Sequence, residues 1–107
     1  MTKPEDSGIV STALPDRTHA RRIAQILLAE KLAACVQLSD IESHYVWKGE
    51  TKAEPEVMLT AKTQVALFEQ VIARIKALHP YEVPEIVALP FAAAFAPYLV
   101  WINDNTG

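Results

Sequence analysis

A single cysteine, three glycines and no long apolar run set the first limits on this chain. Cys35 alone can form neither an intramolecular disulfide nor an all-cysteine metal site within one chain. Glycines at 8, 49 and 107 exclude a phosphate-cradling G-x-x-x-x-G-K-[ST] loop and a G-x-G-x-x-G turn. The G-x-S-x-G and H-E-x-x-H patterns are absent, and Ser11, Thr12 and Ser43 have no histidine partner visible in the sequence. No nucleophile, base and oxyanion donor can be picked out together, so the chain is not expected to be an enzyme. Excess positive charge is lacking too. Lys and Arg number 10 against 13 Asp and Glu, and no basic cluster exceeds Arg21–Arg22, which argues against nucleic acid as a partner. The apolar runs are far shorter than the ~20 residues of a membrane span. Met1 to Ser7 is polar and lacks the apolar core of a signal peptide, so a cytoplasmic address is expected.

Half of the residues are apolar, enough to fill one core, and 107 residues suit one domain. Residues 1–7 and 103–107 read as loose ends of that domain. Ile9–Leu14 is a short β-branched strand, closed by Pro15 and Asp16, and Asp16 is placed to N-cap a helix reaching about Lys31. Its stripe is Ala20, Ile23, Ala24, Leu27 and Leu28. Strand two runs from Cys35 to Trp47, Lys48-Gly49-Glu50 is a turn, and strand three covers about Ala53 to Lys62. Thr63 is read as the cap of a second helix, whose apolar stripe is Phe68, Val71, Ile72 and Ile75. Pro80 ends that helix at His79, because the residue before a proline disfavours α geometry. A stiff connection, His79 to Pro84, leads to the strand Ile86–Leu89, and Pro97 opens a short terminal helix from Tyr98 to about Asn103. The order βαββαβ plus a helix predicts an α+β, ferredoxin-like split βαβ fold.

Strand two is too long for its domain. Thirteen residues extend about 40 Å at ~3.3 Å each, against a usual five or six residues. Its apolar face also changes sides. Val36 and Leu38 share a face with Asp40, Glu42 and His44, whereas Ile41, Tyr45 and Trp47 lie on the other. Either a bulge or a change of packing partner explains the switch. An exposed hairpin of this length is an edge that seeks pairing, so a homo-oligomer is expected.

Several segments in order are recognisable. These are Lys31-Leu32-Ala33-Ala34-Cys35-Val36, Ser43-x-Tyr45-x-Trp47-x-Gly49, Lys62-Thr63, His79-Pro80-Tyr81-Glu82-Val83-Pro84-Glu85-Ile86 and Tyr98-x-x-Trp101. Together they resemble the CutA (divalent-cation tolerance) family over about residues 9–102, the His-Pro-Tyr-Glu-x-Pro-Glu run being the most specific piece. The resemblance implies a homotrimer built like the PII signalling proteins, with hairpins paired between subunits and clefts at their boundaries. It also implies a link to tolerance of copper or other divalent cations, and no catalysed reaction. Gln37 departs from the asparagine usual in the family, and Ala93–Ala94 from a common glycine.

Candidate chemistry falls on few side chains. Cys35 can ligate a soft ion such as Cu(I), or be a small buried hydrophobe. His79 can offer an imidazole nitrogen to a metal, with Glu82 or Glu85 nearby in sequence, or cap its helix. Asp40, Glu42 and His44 share a strand face and suit a solvated surface better than an ion. Tyr45, Trp47, Tyr81 and Trp101 suit either a ligand cleft or a subunit interface. Lys62, before a helix start, can hold an anion or simply snorkel. Two functions follow: a divalent-cation, copper-type binding trimer, or a PII-like trimer that senses a small anion in its clefts. No organic cofactor is expected.

Overall fold

A computed structural model describes residues 2–107. Its elements are β1 (Ser7–Leu14), α1 (Arg17–Ala29), β2 (Cys35–Trp47), β3 (Glu50–Gln64), α2 (Phe68–Leu78), β4 (Ile86–Pro90) and α3 (Ala96–Asp104). Single 3-10 turns at Pro4–Asp6 and Val65–Leu67 precede β1 and α2. The strands form one antiparallel sheet in the order β2-β3-β1-β4, the α+β, ferredoxin-like arrangement expected from the sequence.

Strand parity builds the core. Val10, Leu14, Val57, Leu59 and Ala61 alternate onto one face, where they are buried with Ile23 and Leu27 of α1 and Val71 and Ile75 of α2. Leu28, read as part of the α1 stripe, lies outside it at 44% exposure. On the opposite face α3 covers only one end of the sheet. There Lys62 lies under the Tyr98 ring and Gln64 donates to the Thr106 hydroxyl at 2.8 Å. The rest of that face carries exposed Val87 and Leu89.

Helix ends follow local chemistry. The Asp16 carboxylate accepts from the His19 backbone N–H at 2.9 Å, the cap expected there. α1 ends two residues before Lys31, in a Schellman motif. Lys31 takes φ +57° and donates to Leu28 O, while Leu32 donates to Leu27 O. α2 stops at Leu78, and His79 is extended ahead of Pro80.

Thr63 does not cap α2. It lies within β3 opposite Gly8, fully buried, because β1 begins two residues earlier than its β-branched stretch and carries the pairing to Ser7–Gln64. The chain ends expected to be loose make specific contacts. Ser7 is fully buried in β1, Thr106 donates to Ile102 O, and Gly107 N–H donates to Lys31 O.

The β2–β3 ladder runs unbroken from Cys35–Lys62 to Trp47–Glu50. No bulge interrupts it, so the face switch near Ser39–Ile41 marks a change of packing. Val36 and Leu38 pack on the core, and beyond them Asp40 pairs with the Arg17 guanidinium at 2.9 Å. The remaining hairpin projects, which accounts for a molecule 48 Å long and 27 Å wide. Lys48 and Gly49, both at positive φ, close it in a two-residue turn.

Candidate functional site

Where the hairpin leaves the globule, a cleft of about 690 Å³ opens between it and the 80–85 connection. Side chains of β2 and β3 facing away from α1 and α2 form one wall. Registers Ile41–Glu56, Ser43–Glu54, Tyr45–Lys52 and Trp47–Glu50 put Tyr45 and Trp47 on the same side as Glu54 and Glu56. Pro80, Tyr81, Glu82, Val83 and Glu85 form the other wall; His79 is extended ahead of Pro80, but the chain then bends at Tyr81–Val83, so the connection is not extended throughout. Four carboxylates, those of Glu54, Glu56, Glu82 and Glu85, line the space with one lysine, Lys52.

The two walls are tied together. The Tyr81 hydroxyl donates to Glu56 Oε2 at 2.8 Å, and burial followed by the neighbouring Glu56 carboxylate pushes its pKa up. Loss of solvent, then Glu54, also raises the Tyr45 phenol.

Of the residues the sequence singled out, Tyr45, Trp47, Tyr81, Glu82 and Glu85 do meet in this cleft. Lys62 and Trp101 do not. Lys62 lies eight positions beyond Glu54 along β3, about 26 Å at ~3.3 Å per residue. It sits 5.5 Å from the Tyr98 ring centroid, and Trp101 stacks on Tyr98 at 5.6 Å. Cys35 is the β2 partner of Lys62, so it too belongs to that far end. His79 has no nitrogen to spare: Nε2 bonds Ala13 O at 2.8 Å and Nδ1 accepts from Tyr81 N–H at 3.2 Å. Cys35, His79 and Glu82 therefore do not form a joint metal site. Among the described residues no three His, Cys, Asp or Glu side chains converge on one point. Asp40 is paired with Arg17, and Glu42 with His44 at 2.8 Å.

Sequence reasoning missed Glu54 and Glu56. The signal that reveals them is the two-residue turn. With Lys48-Gly49 alone between the strands, counting back from Trp47–Glu50 places both opposite the Ile41–Ser43 stretch.

Fold and cleft define the class: a four-stranded α+β domain with an overlong hairpin and an acidic, tyrosine-bearing cleft at its root. The family model of the CutA1 divalent ion tolerance protein matches residues 8–105. A "Divalent-cation tolerance protein CutA" of Thermus thermophilus is 45% identical over 100 residues, covering 92% of this chain and 97% of that relative. "Protein CutA, chloroplastic" of Arabidopsis thaliana is 36% identical over 98% of this chain, which spans only 58% of that longer relative. The crystal structure of CutA1 from Oryza sativa superposes with a TM-score of 0.91 at 36% identity, covering 99% of this chain and 96% of that one. The chain belongs to the CutA1 divalent ion tolerance family.

Proposed function

We propose that this chain is a non-catalytic, homotrimeric binding protein for divalent cations, with the acidic cleft as the place where the cation is taken up. The observation that carries the reading is the gathering of Glu54, Glu56, Glu82 and Glu85 at the root of a hairpin that outreaches its own domain. Carboxylate and phenol oxygens suit hard or borderline divalent ions. They repel the small anion of a PII-like sensor, for which Lys52 is the one cationic lysine in the cleft. One chain brings no closed ligand set, so a neighbouring subunit supplies the remaining donors in this reading. Exposed Val46, Tyr45 and Leu89 give that neighbour apolar surface to cover. Among copper ions, this donor set points to Cu(II). Cu(I) would need the Cys35 thiolate at the far end.

Two measurements test the proposal. Sedimentation velocity at micromolar concentration is expected to return about three times 11.8 kDa, and a single-chain particle refutes the trimer. Isothermal titration of metal-free protein with Cu(II), Zn(II) or Mn(II) is expected to show binding well below ~1 mM, weakened at least about tenfold by Glu54→Gln with Glu82→Gln. Cys35→Ser is expected to leave it unchanged. Failure of all three ions to bind tighter than about millimolar removes the function.

A further inference from the structure

Two contacts grip the β2–β3 hairpin where it leaves the globule, and they act on opposite faces of the sheet. On the face toward α1, the guanidinium of Arg17, the first residue of that helix, donates to Asp40 Oδ1 at 2.9 Å. On the cleft face, the Tyr81 hydroxyl donates to Glu56 Oε2 at 2.8 Å. The register puts both at one level. Asp40 stands opposite Val57, and the next pair outward is Ile41–Glu56. Successive residues point to opposite faces, so Asp40 and Ile41 face apart, and Glu56 lies on the Ile41 side. Among the described residues, no other side-chain hydrogen bond or ion pair joins the hairpin beyond this level to the rest of the chain. The Glu42–His44 pair further out is internal to the hairpin.

Packing does little to fix the angle of the hairpin. From Ile41 round the tip to Glu56 no residue is buried, whereas Val57 is. A two-stranded ribbon without a packed face is compliant. Trp47 is seven positions from Asp40, about 23 Å at ~3.3 Å each, so a tilt of about 5° at the root carries it about 2 Å. Tyr45, Trp47 and Glu54 move with that tilt, and Tyr81, Glu82 and Glu85 of the facing wall do not. The tilt therefore sets the width of the cleft.

We propose that Arg17 is a positioning residue of the cleft, acting through Asp40 from the far face of the sheet as the counter-stay of Tyr81. Arg17 draws the hairpin toward α1 and holds the cleft open. Tyr81 draws it toward the 80–85 connection and narrows the cleft. The stay is weak: the side chains of Arg17 and Asp40 are 41% and 77% exposed, and such a pair shifts an equilibrium by at most about fivefold. The consequence for cation affinity rests on the function proposed above, but the balance of the hairpin does not.

Acrylamide quenching of Trp47 fluorescence tests the balance in the metal-free full chain, with Trp101→Phe removing the other of its two tryptophans. Acrylamide is neutral, so changes in protein charge do not bias it. Arg17→Gln and Asp40→Asn should each lower the quenching constant, because the cleft narrows over Trp47. Tyr81→Phe should raise it. Arg17→Asp combined with Asp40→Arg, which exchanges the partners, should bring the constant back toward the native value. Shifts in one common direction, or no shift, overturn the proposal. If Trp101→Phe does not fold, hydrogen exchange of the Trp47 indole N–H, followed by NMR in otherwise native chains, gives the same reading. The second test is Zn(II) titration of chains that keep Trp101. Arg17→Gln and Asp40→Asn should both tighten binding, by up to about fivefold, although one removes a positive charge and the other a negative one. Affinities that follow the sign of the charge, or that do not change, refute control of the cleft by Arg17. Opposed quenching shifts in a protein that binds no Zn(II) remove the cation function and leave the balance standing.

Discussion

Gly8→Ala adds one methyl group to β1, and the structure says where it goes. A Cβ built on Gly8 would fall 2.7 Å from Pro90 Cα and 2.8 Å from the end of the Phe68 ring, and would meet the Leu89 carbonyl. Two of those three neighbours are backbone of β4, which pairs with β1 from Gly8–Pro90 to Thr12–Ile86. They cannot yield as a flexible side chain could. Overpacking of this kind costs about 1–3 kcal/mol, and the crowded position is at its upper end. Prising β4 away also strains the Phe91 N–H to Ser7 O bond, worth about 1 kcal/mol. The sum is about 3–4 kcal/mol. Guanidinium chloride unfolding followed by far-UV circular dichroism, at one fixed protein concentration, should show the midpoint falling by about 1 M for a slope of ~3 kcal/mol/M. Gly49→Ala is the control. Gly49 has φ +80° but open space around it, so it loses only the left-handed preference, about 1 kcal/mol or ~0.3 M. Equal shifts for the two substitutions would refute the reasoning, because they would mean that backbone preference and not β4 contact makes Gly8 necessary.

Lys31 holds the left-handed position of the Schellman motif that ends α1, so Lys31→Gly should stabilise the fold by about 0.5–1 kcal/mol, read as a raised unfolding midpoint. Thr12 is fully buried in β1 with no partner for its hydroxyl among the described residues, and Thr12→Val should gain about 1 kcal/mol in the same assay; a loss would mean that the hydroxyl has a role. The His19 backbone N–H holds the Asp16 carboxyl below its ordinary 3.8, and the Arg74 guanidinium holds Glu30 below 4.5. Groups of depressed pKa add stability above their ordinary values that is lost as pH falls through the folded ones, so melting temperature should drop on the acid side. Asp16→Asn keeps a capping oxygen without a titrating proton and should flatten that acid limb.

Much of the fold could be read before any coordinates. The far end of strand two, Trp47, is set by the Lys48-Gly49-Glu50 turn signal, and Pro80 fixes the end of α2 through sterics alone. Thr63 reads as a cap because a threonine shortly before a helical stripe fits that pattern, and only the pairing with Gly8 shows that the strand goes on. The hydrophobic period does not record such pairing. Half of the cleft was legible for a similar reason. Tyr81, Glu82 and Glu85 share one short segment, so their proximity is local. Glu54 and Glu56 come to them across a register that a turn read as Lys48-Gly49-Glu50 shifts by one residue. Lys62 and Trp101 were grouped with the cleft because nothing in the sequence tells which end of the sheet α3 covers.

The uninterrupted ladder makes the projecting arm a structure of countable length. Deleting Tyr45–Val46 together with Thr51–Lys52 would shorten it by two rungs and leave every remaining side chain pointing as before. Deleting a single rung would turn the tip inside out, presenting Trp47 to the side now occupied by Val46. Relatives with shorter or longer arms can therefore differ by even numbers of residues per strand without exchanging their two faces.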